Sequence, residues 1–274
     1  MSIHTMYEGS KGGLMTHRQT HTHTHTHTRT HTHTHVSYTR LILTYTYLHD
    51  GVDTFWQYAS LHDLLTNSTK STNTTTNATT FSGFRDITQL VPFATGFAAL
   101  SASGRVWTWG DARFGACLGR ETSTSPHRSP AEMPGAVEDV LDLPTGRIVR
   151  LAAGGYVVAA LTAGNDLYVW GQGRPGGRPL PVLEWLTDRP APVDIQDNDI
   201  ADVALGDAHL VALTTEGQVF VIGDNSNGQL GLPVKAVDTW TAVSSVPAGG
   251  TGQSVVGVAA GPRNSFLIVR SQAD

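Results

Sequence analysis

Four sets of residues in this sequence could do chemistry. From Thr16 to His35 threonine and histidine alternate almost strictly, THRQTHTHTHTHTRTHTHTH. Such alternation sets the imidazoles on one side of an extended chain, where Zn²⁺ or Ni²⁺ could be held. Asp194, Asp197, Asp199 and Asp202 crowd into VDIQDNDIAD, a carboxylate density that suggests calcium. Two glycine-rich loops, GQGRPGGRP (Gly171–Pro179, with Arg174 and Arg178) and GDNSNGQLG (Gly223–Gly231), have the composition of phosphate cradles. Cys117 and His209 complete the set as a nucleophile and a base.

None of these sets meets the spacing that its chemistry requires. A structural metal site needs ligands converging from a packed scaffold, and a His/Thr tract builds none; a (CA)n dinucleotide repeat read as protein yields the same alternation. The four aspartates lack the glycine and terminal glutamate of an EF-hand loop. GQGRPGGRP lacks the GK[ST] ending of a P-loop, and no helical pattern follows it to offer an N-terminus to phosphate. No paired acid and base, G-x-S-x-G or Cys–His arrangement stands out. No catalytic residue, cofactor or metal ligand is therefore assigned. The exposed charges of the two loops, Arg174, Arg178, Asp194, Asp197 and Asp199, are kept as candidate contacts for a protein partner.

The elements that position these loops emerge from a repeat. AALSASGRVWTWGD (Ala98–Asp111), AALTAGNDLYVWGQ (Ala159–Gln172) and VALTTEGQVFVIGD (Val211–Asp224) superimpose. Their anchors are Leu100, Gly104, Val106, Trp109 and Gly110, then Leu161, Asn165, Leu167, Trp170 and Gly171, then Leu213, Gly217, Val219, Ile222 and Gly223. The position four after each leucine is Gly, Asn or Gly, the residues that accept positive φ in a hairpin turn. The flanking Val, Leu, Phe, Tyr and Trp suit pleated strands. LAAGG (Leu151–Gly155), VALGD (Val203–Asp207) and VAAGP (Val258–Pro262) precede the hairpins and recur about every fifty residues at Gly154, Gly206 and Gly261. Small sheets at that spacing predict β-propeller blades of four antiparallel strands.

The repeat, and ALTTEGQVFVIGDNSNGQLG above all, resembles that of the regulator of chromosome condensation family, over about Phe84 to Asp274. The resemblance implies seven-bladed propellers, so three clear repeats and a partial fourth would be an incomplete ring of about three to four blades. It also implies that GDNSNGQLG turns the chain inside a blade. His209, in GDAHLVAL, stands where the family repeat usually has histidine, although its counterparts Val157 and Asn264 share no chemistry with it. Members of the family promote nucleotide exchange on a Ran-type small GTPase or act as protein-interaction scaffolds. The expected function is a non-catalytic scaffold, with exchange factor and truncated product without function as the alternatives.

The rest of the chain differs in composition. Residues 1–80 are expected to be low-complexity and largely disordered, comprising the His/Thr tract at 16–35 and an Asn/Ser/Thr-rich linker at 66–80. Within them Leu41–Leu48 is strand-like, and Asp53–Leu65 is predicted as a short helix with Asp53 as its N-cap. The 274 residues carry a net charge of −5 and no basic run, which speaks against an electrostatic grip on nucleic acid. No stretch approaches the about 20 apolar residues of a membrane span. A single cysteine and a start without a secretory signal make a cytoplasmic or nuclear location the default.

Overall fold

A computed structural model describes residues 31–36, 42–47, 53–60, 63, 78–122, 128–176, 188–244 and 253–271. They form antiparallel sheets whose strands follow one another in chain order. The first sheet comprises β1 (His31–Val36), β2 (Ile42–Tyr47), β3 (Asp53–Tyr58) and β4 (Ala78–Phe84). The second comprises β5 (Ile87–Phe93), β6 (Gly96–Ser101), β7 (Val106–Gly110) and β8 (Gly135–Ala136). The third comprises β9 (Ile148–Gly154), β10 (Val157–Thr162), β11 (Leu167–Gly171) and β12 (Ala191–Val193). The fourth comprises β13 (Ile200–Leu205), β14 (His209–Thr214), β15 (Val219–Asp224) and β16 (Ala236–Ala242). The last has two strands, β17 (Gln253–Gly261) and β18 (Asn264–Ser271).

The predicted helix at Asp53–Leu65 is corrected. Asp53–Tyr58 is strand β3, hydrogen-bonded between β2 and β4. Thr54, Phe55, Trp56 and Tyr58 are β-formers, and Phe55 is buried against Phe84 and Trp109, with ring centroids 4.8 and 5.6 Å away. Packing outweighed the N-cap signal. Of the His/Thr tract, residues 16–30 lie outside the described residues and His31–His35 belong to β1; of the linker, residues 66–77 lie outside and 78–80 belong to β4. Phe84 ends the sheet that adjoins the first recognised repeat.

The hairpin turns take the form that the repeat predicts. Gly104, Asn165 and Gly217 have φ of 87, 69 and 83°, and their N–H groups donate to the carbonyls of Ser101, Thr162 and Thr214 at 2.9, 3.1 and 3.0 Å. The residue after each anchor leucine is a hydroxyl. Ser101, Thr162 and Thr214 accept at Oγ from the N–H of Arg105, Asp166 and Gln218 at 3.2, 3.0 and 3.0 Å. Each turn also binds the residue leading into its own sheet, through Ala102 N–H to Asp86 O, Ala163 N–H to Arg147 O and Thr215 N–H to Asp199 O.

The pleat then divides each strand between two neighbouring sheets. Phe97, Ala99 and Trp109 face back onto Phe55, Phe81 and Phe84 of the first sheet. Ala98, Leu100 and Val106 face forward onto Val158, Ala160 and Trp170. Leu161 and Val169 in turn meet Leu210 and Phe220, and Val211 and Leu213 meet Val255 and Val258. The strands β6, β10 and β14 are buried along their whole length as a result.

The first strands of successive sheets run side by side, and there the backbones touch. A Cβ on Gly154 would lie 2.4 Å from Leu205 O, and one on Gly206 2.7 Å from Gly261 O, which explains the recurrence of glycine. The register slips by one residue in β5, β9, β13 and β17, and the residue beyond the bulge ties neighbouring strands together. Gln89 accepts from Leu151 N–H at 2.7 Å and donates to Leu151 O at 3.2 Å. Arg150 pairs with Asp202 at 2.6 Å, and Asp202 also accepts from Val258 N–H at 3.0 Å.

Two substitutions separate the two uses of glycine. A Cβ on Gly217 meets nothing within 4 Å, so Gly217→Ala costs only its positive φ, about 1 kcal/mol. Gly154→Ala drives a methyl group into backbone and should cost about 2–3 kcal/mol. Urea denaturation of both variants checks the order; equal losses would contradict the close approach.

Candidate interaction surface

The buried polar side chains serve the fold. Cys117 is buried, its Sγ donates to Tyr156 O at 3.2 Å, and burial pushes the thiol up to about 11, so it stays protonated and unreactive. Arg120 is buried, and its guanidinium donates to the carbonyls of Thr108, Ser129, Pro130 and Met133 at 2.7–3.2 Å. Burial lowers it to about 10, and these contacts fasten the loop at 128–133 to β7. Nothing in the repeat pattern had marked Arg120, because its partners are backbone groups up to thirteen residues away.

GDNSNGQLG is a closed turn between β15 and β16. Asn225 is buried; it donates to Leu232 O at 2.8 Å and to Val234 O at 2.5 Å, and accepts from Leu230 N–H at 2.7 Å. Gln229, also buried, accepts from Asn227 N–H and donates to Asp224 at 2.9 Å each. Gly228 and Gly231 take φ of 80 and 66°, and Leu230 drops into the core beside Val219. Burial would raise the Asp224 pKa, but hydrogen bonds from Ser226, Gln229 and nearby backbone hold it below the ordinary value. The loop's donors and acceptors are turned inward on each other, as a structural turn requires.

His209 joins the last two sheets. It is fully buried in β14, and its Nε2 lies 3.0 Å from Ser265 Oγ in β18. A Cβ on Gly206 would sit 2.0 Å from its Cε1, so the ring occupies space that only glycine leaves. Nδ1 has no hydrogen-bond partner.

The exposed candidates are carried at opposite ends of one sheet. Arg174 is exposed just beyond the end of β11, next to the start of β10, since Val157 pairs with Gly171. Arg178 lies outside the described residues. Asp194, Asp197 and Asp199 are exposed in the connection from β12 to β13, beside the other end of β11, where Leu167 pairs with Val193. Asp194 accepts from Asp197 N–H at 2.9 Å, and Gln196 and Asp197 take φ of 55 and 59°. Asp202, fourth of the crowded aspartates, is buried and spent on Arg150 and Val258. The sequence neighbours are thus split, and among the described residues Arg174 and the exposed aspartates form no common site. Among the described residues no group of three or more His, Cys, Asp or Glu is placed to hold a metal ion, and no helix is long and apolar enough to cross a membrane.

Successive four-stranded meanders, packed face to face along their first strands, define a β-propeller fold. Models of the Regulator of chromosome condensation (RCC1) repeat match residues 200–229 and 216–268, so the chain carries that repeat over those residues. The Regulator of chromosome condensation of Mus musculus is 35% identical over 133 residues, covering 48% of this chain and 30% of that protein. The E3 ubiquitin-protein ligase HERC2 of Homo sapiens is 30% identical over 171 residues, covering 61% of this chain and 3% of that one. The chain therefore spans less than a third of the length of either relative. The crystal structure of human WBSCR16 shares the fold with a TM-score of 0.61 at 15% identity, covering 84% of this chain and 57% of that one. That of Prp20p from Saccharomyces cerevisiae does so with 0.58 at 17%, covering 85% and 55%.

His209 gives the structure a pH dependence. Burial lowers its pKa, against smaller opposing contributions from the Asn264 backbone and the Asp224 charge. A group held neutral in the fold contributes fully above about pH 6.5, and that contribution is lost as pH falls through the lowered folded pKa. Asp111 and Asp224, also lowered, act only near and below about pH 4. Tm, followed by circular dichroism, should drop on acidification from about pH 7.5 to pH 5, and His209→Gln should flatten that slope.

Proposed function

We propose that this chain is a non-catalytic protein-interaction scaffold, cytoplasmic or nuclear, that binds protein partners through the loops at the ends of its sheets. The observation that carries this reading is a division of labour among polar groups. Cys117, Arg120, Asp202, His209, Asn225 and Gln229 are buried and engaged in the fold, whereas Arg174, Asp194, Asp197 and Asp199 are exposed on connections between strands. Loops on such a frame can vary without disturbing the core, which suits recognition. The net charge of −5 disfavours nucleic acid as the partner.

A second reading, guanine-nucleotide exchange on a Ran-type small GTPase, is favoured by the 35% identity to the mouse Regulator of chromosome condensation. Prp20p from Saccharomyces cerevisiae, which shares the fold, has binding properties to Gsp1p and histones. Function resides in sites more than in folds, so the two readings are decided by activity. Nucleotide release from small GTPases, measured with the chain in catalytic amounts, should stay at the intrinsic rate if the chain is a scaffold. Acceleration well above that rate would establish the exchange factor.

Because the two loops lie at opposite ends, a single partner should sense only one of them. In pull-downs, Arg174→Ala and Asp194→Asn/Asp197→Asn/Asp199→Asn should each abolish a different subset of captured proteins, with Tm within about 1 °C of the parent since exposed substitutions cost little. Loss of the same partners with both sets would contradict the separation.

A further inference from the structure

The hairpin turn of the second sheet carries charges that its counterparts lack. Ser103 is exposed at its tip, with its Oγ 2.8 Å from Ser101 Oγ. Arg105, also exposed, follows two residues on, and its N–H donates to Ser101 Oγ at 3.2 Å. Arg147, exposed at the entry to β9, lies across the same turn. Its guanidinium donates to Ala102 O, and a Cβ on Gly104 would sit 2.5 Å from its Cβ. Arg85 and Asp86, both exposed, lead into β5, and Asp86 O accepts from Ala102 N–H at 2.8 Å. Three arginines and one aspartate therefore belong to the segments that meet at this serine. Among the described residues no carboxylate makes an ion pair with any of the three.

The fold does not ask for these arginines. Where Ser103 and Arg105 stand, the third sheet has Gly164 and Asp166 and the fourth has Glu216 and Gln218; Asp199 takes the place of Arg147 at the entry to β13. The same turn is thus built with either sign of charge. Glu216, exposed beside Gly217 with its φ of 83°, shows that the position of Ser103 accepts an acidic side chain without loss of the turn. The turn also shares one end of the sheets with the exposed aspartates, since Ala163 N–H reaches Arg147 O and Ile200 N–H reaches Asn165 O. A cationic turn therefore stands beside Asp194, Asp197, Asp199 and Glu216.

We propose that Ser103 is a phosphorylation site, read by a serine kinase that recognises the arginine two residues beyond its target, and that Arg147 and Arg105 hold the phosphate. Ser103 Oγ gives its proton to the kinase's catalytic base and attacks the γ-phosphorus of ATP; the bond to the β–γ bridging oxygen breaks and ADP leaves. The product carries a charge of about −2 and three acceptor oxygens, next to a guanidinium that Ala102 O already holds in place. Charge-assisted hydrogen bonds between them would tie the turn of the second sheet to the entry of the third. The added charge also offsets the excess of arginine over aspartate at the turn, so that this end of the sheets presents only its acidic groups to a partner. The modification stands whether or not the Asp194–Asp199 connection binds one.

The test uses the full chain, ATP and a kinase of the protein kinase C class, with phosphate mapped by mass spectrometry and Tm followed by circular dichroism. Phosphate is expected at Ser103, with most of it lost in Arg105→Gln. The phosphorylated chain should melt above a Ser103→Ala chain treated in the same way. That difference should shrink as salt is raised and vanish in Arg147→Gln. The salt dependence is read on the parent chain, so it decides the arginine contact even if Arg147→Gln unfolds. Absence of phosphate at Ser103 overturns the proposal, even where other serines are labelled. So does a phosphorylated chain whose Tm is unchanged or lower, or whose gain in Tm is insensitive to salt or survives Arg147→Gln.

Discussion

The constraint on which the rest depends is that the middle strands of the second, third and fourth sheets have another sheet on either side. A strand in that position must be apolar on both faces, so β6, β10 and β14 contain the apolar runs FAAL, VVAAL and LVAL instead of an alternation. Alanine at 98, 99, 159, 160 and 212 keeps the layers close, while Trp109 and Trp170 fill the space that alanine leaves on the preceding sheet. At close-packed density neither kind of residue can change size without moving its neighbours.

Such stacking brings backbone onto backbone where the first strands converge, and this decides the polar residues as well as the glycines. Gly154 and Gly206 are there because a methyl group would meet a carbonyl. Gln89, Arg150 and Asp202, each just past a bulge, reach the next strand's backbone or each other across the same narrow gap. Buried polar groups must be paired, and here the pairing partners belong to the adjacent sheet, so the polar contacts tie neighbouring sheets together.

Connections have the opposite freedom. The closed turn around Asn225 and Gln229 consumes its own hydrogen bonds, whereas the Asp194–Asp199 connection holds its shape with an Asx-type contact and leaves its carboxylates in solvent. Rigid sheets beneath both kinds of loop explain how variable charge and invariant geometry coexist in one repeat.

Much of this was legible in the sequence because it is local. The positive φ at Gly104, Asn165 and Gly217 and the strand on each side depend on residues within a few positions of each other, while the fifty-residue recurrence of Gly154, Gly206 and Gly261 shows in the sequence as a period whose cause lies in the next sheet. What only the tertiary structure decided depends on residues far apart in the chain. Asp53–Tyr58 carries a helix-start signal yet is a strand, because Phe55 finds Phe84 and Trp109. Four aspartates adjacent in sequence part company, three to solvent and Asp202 to Arg150 and Val258, because the bulge turns one of them inward. Arg120 and His209 acquire their roles from carbonyls and a hydroxyl that lie beside them only once the loops and neighbouring sheet are in place. Pattern reveals the unit; the contacts between units, made across tens of residues, assign each polar side chain its partner.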